Sequence, residues 1–425
     1  MDKPQSASQP SQDRLALLYQ LTQTFNSTLD LDEVLNRIMD EVIRVTRAER
    51  GFVMLCETDQ GLVFKAARGI DQQTIEDPQF QISRSVVDRV AAEGKPVLTS
   101  DAQMDERFNI RQSVVFLKLR SILCVPLTVK GDVIGVIYVD NRLQAGIFSK
   151  DDLDLLSAIA SSAAIAIDNA RLYQLAIEKG RMERELQMAR KVQTSLLPGE
   201  TPKLPGWEFA AFWKPAREVG GDYYDFIQCK RGQMGVVIAD VTDKGMPAAL
   251  FMASTRSIFR ASVYNAFTPA EGITQANRLV VDQSTDALFV TLFFARIAPD
   301  TGEVTYVNAG HNPPLLYSGS QSKQSALQKL ERTGIPIGVG KDSIYEQRIL
   351  YLNPGDFIVL YTDGVPDAIN VKEEPFGTDR LEEVVLANPN ASGNDIIHAI
   401  DNAINQHTGS QATFDDITIV VIKRL

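Results

Sequence analysis

Residues 217–226 read Arg-Glu-Val-Gly-Gly-Asp-Tyr-Tyr-Asp-Phe, and after a short turn residues 236–245 read Val-Val-Ile-Ala-Asp-Val-Thr-Asp-Lys-Gly. The Gly220-Gly221 pair lets the backbone bend sharply in front of Asp222. Val236 to Ala239 is a short apolar run of strand character, and Asp240 ends it. Two later places repeat the design. Phe357-Ile-Val-Leu-Tyr361 runs into Thr362-Asp363-Gly364, and Asp415-Asp416 stands directly before Ile417-Thr-Ile-Val-Val-Ile422. If these ends meet, several carboxylates share one small volume. At about 4 Å and an effective dielectric of roughly 20, each pair would repel by about 4 kcal/mol. Such a cluster must protonate or take up hard cations, and oxygen-only ligation favours magnesium or manganese. The three histidines, His311, His398 and His407, are too few and too scattered for a histidine-rich centre.

Working outward, 425 residues predict two or three domains, each with its own core. A net charge of -11 argues against nucleic acid as the main partner, because phosphate backbones select basic surfaces. No continuous apolar run approaches the ~20 residues of a bilayer span, and the first residues lack a signal-peptide core. The expectation is a cytoplasmic protein with no membrane partner. Cys56, Cys124 and Cys229 are far apart in apolar surroundings, and are read as reduced core thiols.

Residues 1–12 are rich in Gln, Ser and Pro and are expected to be disordered. From Asp13 two helical patterns follow, the second with Leu31, Val34, Leu35, Ile38, Met39, Val42 and Ile43 on one face. Strand-like pieces, a helix from Ser85 to Glu93, and two closing strands around the turn Lys130-Gly131-Asp132 complete a mixed α/β domain. Arg120-Ser-Ile-Leu-Cys-Val-Pro-Leu-Thr-Val-Lys-Gly-Asp-Val-Ile-Gly-Val-Ile-Tyr-Val-Asp140 and Phe148-Ser-Lys-Asp-Asp-Leu-Asp-Leu-Leu156 resemble a GAF domain over residues 13–170. That resemblance implies a six-stranded antiparallel sheet with helices packed on it. It implies either an unidentified small ligand or a ligand-free docking module. Cys124, inside an apolar strand, does not suit covalent bilin attachment.

From Asp151 to about Leu197 there is no proline and one glycine, Gly180. Leu156, Ile159, Ala163, Ala166, Ala170 and Tyr173 recur in steps of three and four. A second stripe follows: Leu172, Leu175, Met182, Leu186, Ala189 and Leu196, with Lys179 and Gln193 in two slots. This 3.5-residue rhythm predicts a coiled-coil helix, residues 171–197 forming a linker that pairs in a homodimer, with a soft point at Gly180. The alternative is one helix packed on its own domain.

Pro198 and Pro202 end that helix. Beyond it, eight short strand patterns alternate with helical ones at 246–261, 269–284, 379–387 and 394–406, which predicts two packed sheets covered by helices. Five blocks, Glu218-Val-Gly-Gly-Asp-Tyr-Tyr-Asp, Ala239-Asp-Val-Thr-Asp-Lys-Gly, Asn308-Ala-Gly-His-Asn-Pro-Pro, Tyr361-Thr-Asp-Gly and Phe414-Asp-Asp-Ile-Thr, together with the run-in Glu185–Pro198, resemble the SpoIIE/RsbU-type serine phosphatases. These belong to the PPM (protein phosphatase 2C-like) family. The expected whole is α+β: a GAF-like sensor, a coiled-coil linker helix, and a PPM-type β-sandwich flanked by helices over 198–425.

The resemblance implies that Asp240 bridges two Mn2+ or Mg2+ ions with the Val241 carbonyl as a further ligand. Asp363 and Asp415 would hold one ion, and Asp222 the other, largely through water. Asp225, Gly364 and Asp416 would support these ligands from behind. Arg217 would bind the substrate phosphate, or else be a solvated surface arginine. Relatives carry a histidine soon after the bridging aspartate, where this chain has Thr242, so the leaving-group acid is unassigned. His311 is expected to fix its loop by hydrogen bonds. The implied function is dephosphorylation of a phosphoserine or phosphothreonine protein, by resemblance a STAS-domain anti-sigma-factor antagonist. A catalytically silent PPM-fold scaffold and a nucleotidyl cyclase are the competing readings.

Overall fold

The computed structural model describes residues 9–57, 59–71, 73–74, 82–99, 119–283, 288–319, 326–409, 411 and 414–425. The first eight residues of the expected N-terminal tail, and Ser284 at the end of one expected helix, lie outside them. The chain divides into two compact units, Met1–Met182 and Glu183–Leu425.

In the first unit, helices α1 (Gln9–Phe25) and α2 (Leu31–Thr46) precede strands β1 (Arg50–Glu57) and β2 (Gly61–Gly69). Helix α3 (Arg84–Glu93) and strands β3 (Val97–Thr99), β4 (Ser121–Val129) and β5 (Asp132–Asn141) follow. Asp30 caps α2 by accepting a hydrogen bond from the Glu33 N–H at 2.9 Å, and Arg47 ends that helix in the left-handed region. The sheet runs β2-β1-β5-β4-β3, all antiparallel. Five strands are present among the described residues, where the resemblance implies six. Alternation sends Ile137 and Val139 to one face, against α1 and α2, and Val136 and Tyr138 to the other, against α3. Both faces are covered, so the strands read as unbroken apolar runs. Across β1 and β5, Arg50 and Asp140 form a buried two-bond pair at 2.9 and 2.6 Å.

Helix α4 (Lys150–Leu196) is one helix that runs through Gly180. Leu156, Ile159, Ala163, Ala166 and Ala170 are buried in the first unit's own core, so this stripe serves its own domain and not a coiled coil. Leu172, Leu175 and Met182 are exposed. By length and composition α4 also contains a window apolar enough to cross a membrane, with 44% of that window buried inside the protein. Burial on the GAF-like sheet accounts for that apolar character. Cys124 and Cys229 are buried free thiols; Cys56, read as core, is half-buried.

The second unit contains two five-stranded antiparallel sheets. One is built from β7 (Tyr223–Gln228), β8 (Met234–Val241), β9 (Val290–Ala298), β10 (Glu303–Ala309) and β13 (Arg348–Tyr351), in the order β13-β10-β9-β8-β7. The other comprises β6 (Trp207–Lys214), β11 (Leu315–Tyr317), β12 (Leu327–Lys329), β14 (Phe357–Tyr361) and β15 (Ile417–Arg424), in the order β12-β11-β14-β15-β6. Val236, Ile238, Phe293, Ile358, Leu360, Val420 and Ile422 fill the space between them. The alternate residues face outward under helices. Val237, Ala239 and Phe294 meet α5 (Met246–Asn265) and α6 (Pro269–Gln283). Val359, Tyr361, Ile419 and Val421 meet α7 (Gly377–Ala387) and α8 (Gly393–Thr408). The result is the expected helix–sheet–sheet–helix sandwich.

Candidate active site

Antiparallel pairing brings the aspartates together. β7 pairs with β8 so that Tyr223 faces Ala239, which sets Asp222 beside Asp240. β14 pairs with β15 so that Tyr361 faces Ile419, which sets Thr362-Asp363 beside Asp415-Asp416. Each sheet thus delivers its own acidic pair, and the hydrogen bonds from Thr362 and Thr418 of one sheet to Asp222 of the other place both pairs at one end of the sandwich. Burial raises the Asp240 carboxyl to about 8, with the Asp363 charge as second cause. Asp363 is pushed up to about 6 by burial and then by Asp415. Asp222, 1% exposed, is pushed well up by burial, then by Asp240 and Asp416.

Among the described residues no three acidic, His or Cys side chains stand in the geometry a metal ion requires. Asp222 and Asp415 are instead engaged by neighbouring donors. Asp222 Oδ2 accepts from the hydroxyls of Thr362 at 2.7 Å and Thr418 at 2.6 Å. Asp415 Oδ2 lies 2.9 Å from Lys244 Nζ. The donor set itself, the carboxylate oxygens of Asp222, Asp240, Asp363 and Asp415, fits a hard divalent cation.

Asp416 does not face this cluster as a ligand would. Its Oδ1 accepts from the Ala216 N–H at 2.8 Å and its Oδ2 from the Gly221 N–H at 2.7 Å, which pins the loop in front of Asp222. The glycines of that loop are needed for space. A Cβ on Gly220 would lie 2.3 Å from Asp416 Oδ2, and one on Gly221 would lie 2.9 Å from the Val241 carbonyl oxygen. Gly364 is tighter still: its Cβ would meet the Asp416 carbonyl oxygen at 2.0 Å.

Asp225 departs from expectation. The sequence reading had it supporting the ligands from behind; it lies on β7, buried, and is ion-paired at 2.8 Å with both Arg256 and Arg260 of α5. Its role is to fasten α5 to the sheet. His311 is fully buried, with Nδ1 2.8 Å from Thr291 Oγ1 and Nε2 3.1 Å from the Tyr361 carbonyl oxygen. Burial lowers it to about 3, so it remains neutral and fixes its loop. The Thr242 hydroxyl donates to the Phe289 carbonyl at 3.1 Å and accepts from the Phe289 N–H at 3.0 Å, leaving it tied to backbone. Arg217 is exposed, with its guanidinium 3.9 Å from where a Cβ on Gly245 would be, at the start of α5.

Sequence reasoning missed three contributors. Thr362 and Thr418 hold Asp222, and both sat unremarked inside the motifs. Gln193 was read as a polar residue filling a coiled-coil slot. It is 4% exposed, donating from Nε2 to the Gly220 carbonyl at 2.6 Å and accepting the Gly220 N–H at Oε1 at 3.0 Å. A primary amide that pairs with both the N–H and the C=O of one residue is a specific brace, and a polar residue in an otherwise apolar slot was its one signal.

Residues 30–167 match the GAF domain family and residues 230–425 the SpoIIE family, Stage II sporulation protein E. Protein IcfG of Synechocystis is 31% identical over 276 residues, 58% of this chain and 43% of IcfG, so the chain spans less than half of that relative. Phosphoserine phosphatase RsbU of Bacillus subtilis is 31% identical over 243 residues, 56% of this chain and 70% of RsbU. Among solved structures, the SiaA-PP2C domain of Pseudomonas aeruginosa matches with a TM-score of 0.53 at 19% identity, covering 58% of this chain and 99% of that domain, which is a shared fold. With the two-sheet sandwich, its acidic end and a relative matched over most of its length, the chain belongs to the SpoIIE/RsbU-type family of PPM serine phosphatases and carries a GAF domain ahead of the phosphatase domain.

Proposed function

We propose that the chain is a metal-dependent phosphoserine/phosphothreonine protein phosphatase whose output is set by its GAF domain. The observation that carries this reading is the meeting of Asp222 and Asp240 from one sheet with Asp363 and Asp415 from the other, the carboxyls of Asp222, Asp240 and Asp363 being raised by burial and by neighbouring negative charge. Asp240 would bridge two Mn2+ or Mg2+ ions, with the Val241 carbonyl, Asp222, Asp363 and Asp415 completing the protein ligands. Such ions, when bound, supply a water activated near neutral pH and neutralise phosphate oxygens. The chain's own residues then do the positioning. Thr362 and Thr418 orient Asp222, Asp416 holds the loop that presents it, and Gly364 allows Asp363 to approach Asp415. Arg217, in the loop between β6 and β7 with its guanidinium near Gly245, is suited to bind the substrate phosphate through two donors.

The substrate class is a phosphorylated STAS-domain anti-sigma-factor antagonist, and the pathway is partner switching. This rests on the likeness to a phosphoserine phosphatase, RsbU. A cytoplasmic location accords with three free cysteines. The exposed Leu172, Leu175 and Met182 are the surface for a second copy. The test is phosphate release from a phosphoserine STAS-domain protein with Mn2+ or Mg2+ and with EDTA. Binding of that protein without turnover by any metal would favour the silent scaffold.

The Gln193 brace offers a route for regulation, because it ties the last turns of α4 to the Gly220-Gly221 loop. Gln193→Ala is expected to lower phosphatase activity by about 10–100-fold, the cost of losing a group that orients a ligand. Gln193→Glu keeps the acceptor for the Gly220 N–H but loses the donor and adds a charge, so it should fall at least as far. Full activity in both would remove this route.

A further inference from the structure

Lys244 lies on the turn between β8 and α5, between Asp243 at φ 76° and Gly245 at φ 79°, both in the left-handed region. Its ammonium is held by the other sheet. Nζ is 2.9 Å from Asp415 Oδ2, donates to the Phe414 carbonyl at 3.0 Å, and stands 4.0 Å over the Phe414 ring centroid. Among the described residues it forms the one ion pair made to Asp222, Asp240, Asp363 or Asp415. Its charge also acts on Asp363 and Asp367. Lys and Asp side chains are 32% and 31% exposed, so solvent screens the pair and little holds it against a stronger competitor.

We propose that Lys244 is the movable counter-charge of this site: it neutralises Asp415 until a divalent cation takes that carboxylate, and then turns its ammonium to the substrate's phosphoryl oxygens. The proposal rests on the metal-dependent phosphatase reading above. A divalent cation and a lysine ammonium compete for the same Asp415 oxygen, and the cation, with twice the charge, displaces the ammonium. The freed side chain is long, flexible and carries three donors, and it remains tethered beside the acidic end on a turn of two left-handed residues. A phosphate monoester arriving there is the nearest strong anion, and a charge-assisted hydrogen bond to it replaces the one lost.

The test uses the full chain stripped with EDTA and compares wild type with Lys244→Gln and Lys244→Arg. By calorimetric titration, Lys244→Gln should bind Mn2+ about 3–5-fold more tightly than wild type, since the resident competitor is gone, whereas Lys244→Arg stays near wild type. Without metal, Lys244→Gln should melt lower than wild type, because Asp415 loses its partner, and the Mn2+-induced rise in Tm should be correspondingly larger. With Mn2+ saturating, inhibition by inorganic phosphate should weaken on the order of 10-fold in Lys244→Gln and recover in Lys244→Arg. Unchanged Mn2+ affinity, or unchanged phosphate inhibition, in Lys244→Gln overturns the proposal. If wild type itself binds no Mn2+, it is the metal-dependent reading that fails.

Discussion

Asp240→Asn is expected to be inactive and, without metal, more stable than the wild type. The loss of activity follows from its place in the acidic cluster, beside Asp222 and within reach of the Asp363 charge. Groups that merely orient a metal ligand are worth about 10–100-fold, and removing the carboxylate proposed to bridge the metals should exceed that, on the order of 10^3-fold or more in kcat. The gain in stability follows from charge. Asp240 is raised to about 8, first by burial and then by Asp363. A carboxyl with a raised folded pKa binds its proton more tightly in the folded chain than in the unfolded one. Its favourable contribution is therefore complete below the unfolded value near 4 and is lost as pH climbs through the folded value. In EDTA the variant and wild type should melt together near pH 4, and the variant should melt higher by a widening margin up to pH 8. Each kcal/mol of relieved repulsion is worth about 2–4 °C for a unit of this size. Both tryptophans, Trp207 and Trp213, lie in the second unit, so their fluorescence reports its transition alone. A variant that melts below wild type at pH 8 in EDTA would mean that Asp240 is not held in a repulsive cluster.

Gly364→Ala should damage the same site through space alone. The added Cβ would sit 2.0 Å from the Asp416 carbonyl oxygen, 2.9 Å from its carbonyl carbon and 3.3 Å from the carbonyl carbon of Asp415. All three are backbone atoms, so no side chain can swing aside. The Asp363 loop and the start of β15 must separate, and a shift near 1 Å at a reacting centre costs about 10^2-fold. Overpacking of this kind also destabilises by about 1–3 kcal/mol. Gly180→Ala is the matching control: nothing lies within 4 Å of its Cβ, in the middle of α4. Replacing a mid-helix glycine there should stabilise by about 0.5–1 kcal/mol. Comparable kcat and urea midpoints for Gly364→Ala and wild type would show that the close approach is not needed.

The two-sheet sandwich was legible because its strands are buried on both faces. Runs such as Val236–Ala239, Phe357–Tyr361 and Ile417–Ile422 are almost wholly apolar, and an aspartate stands at or next to one end of each, at Asp240, Asp363 and Asp416. β7 was not legible. Tyr223-Tyr-Asp-Phe-Ile-Gln228 follows two glycines and carries a buried charge, so its local signal is that of a turn. Arg256 and Arg260, which make Asp225 tolerable in a strand, arrive some thirty residues later on α5. The periodicity of α4 was correctly read as helical, but a 3.5-residue rhythm does not say what covers it. Leu156 to Ala170 face their own sheet, while Leu172, Leu175 and Met182 remain exposed.

By itself the sequence determined the order of most elements, the two families and the identity of the acidic residues, because periodicity, glycine turns and carboxylates at strand ends are local properties of the chain. Tertiary structure alone decided which groups those carboxylates answer to. Thr362 and Thr418 hold Asp222, Asp416 pins the loop at Ala216 and Gly221, Lys244 neutralises Asp415, and Gln193 braces Gly220. Most of these contacts join residues tens to hundreds of positions apart, so their pairing exists only once two sheets have closed on a common core.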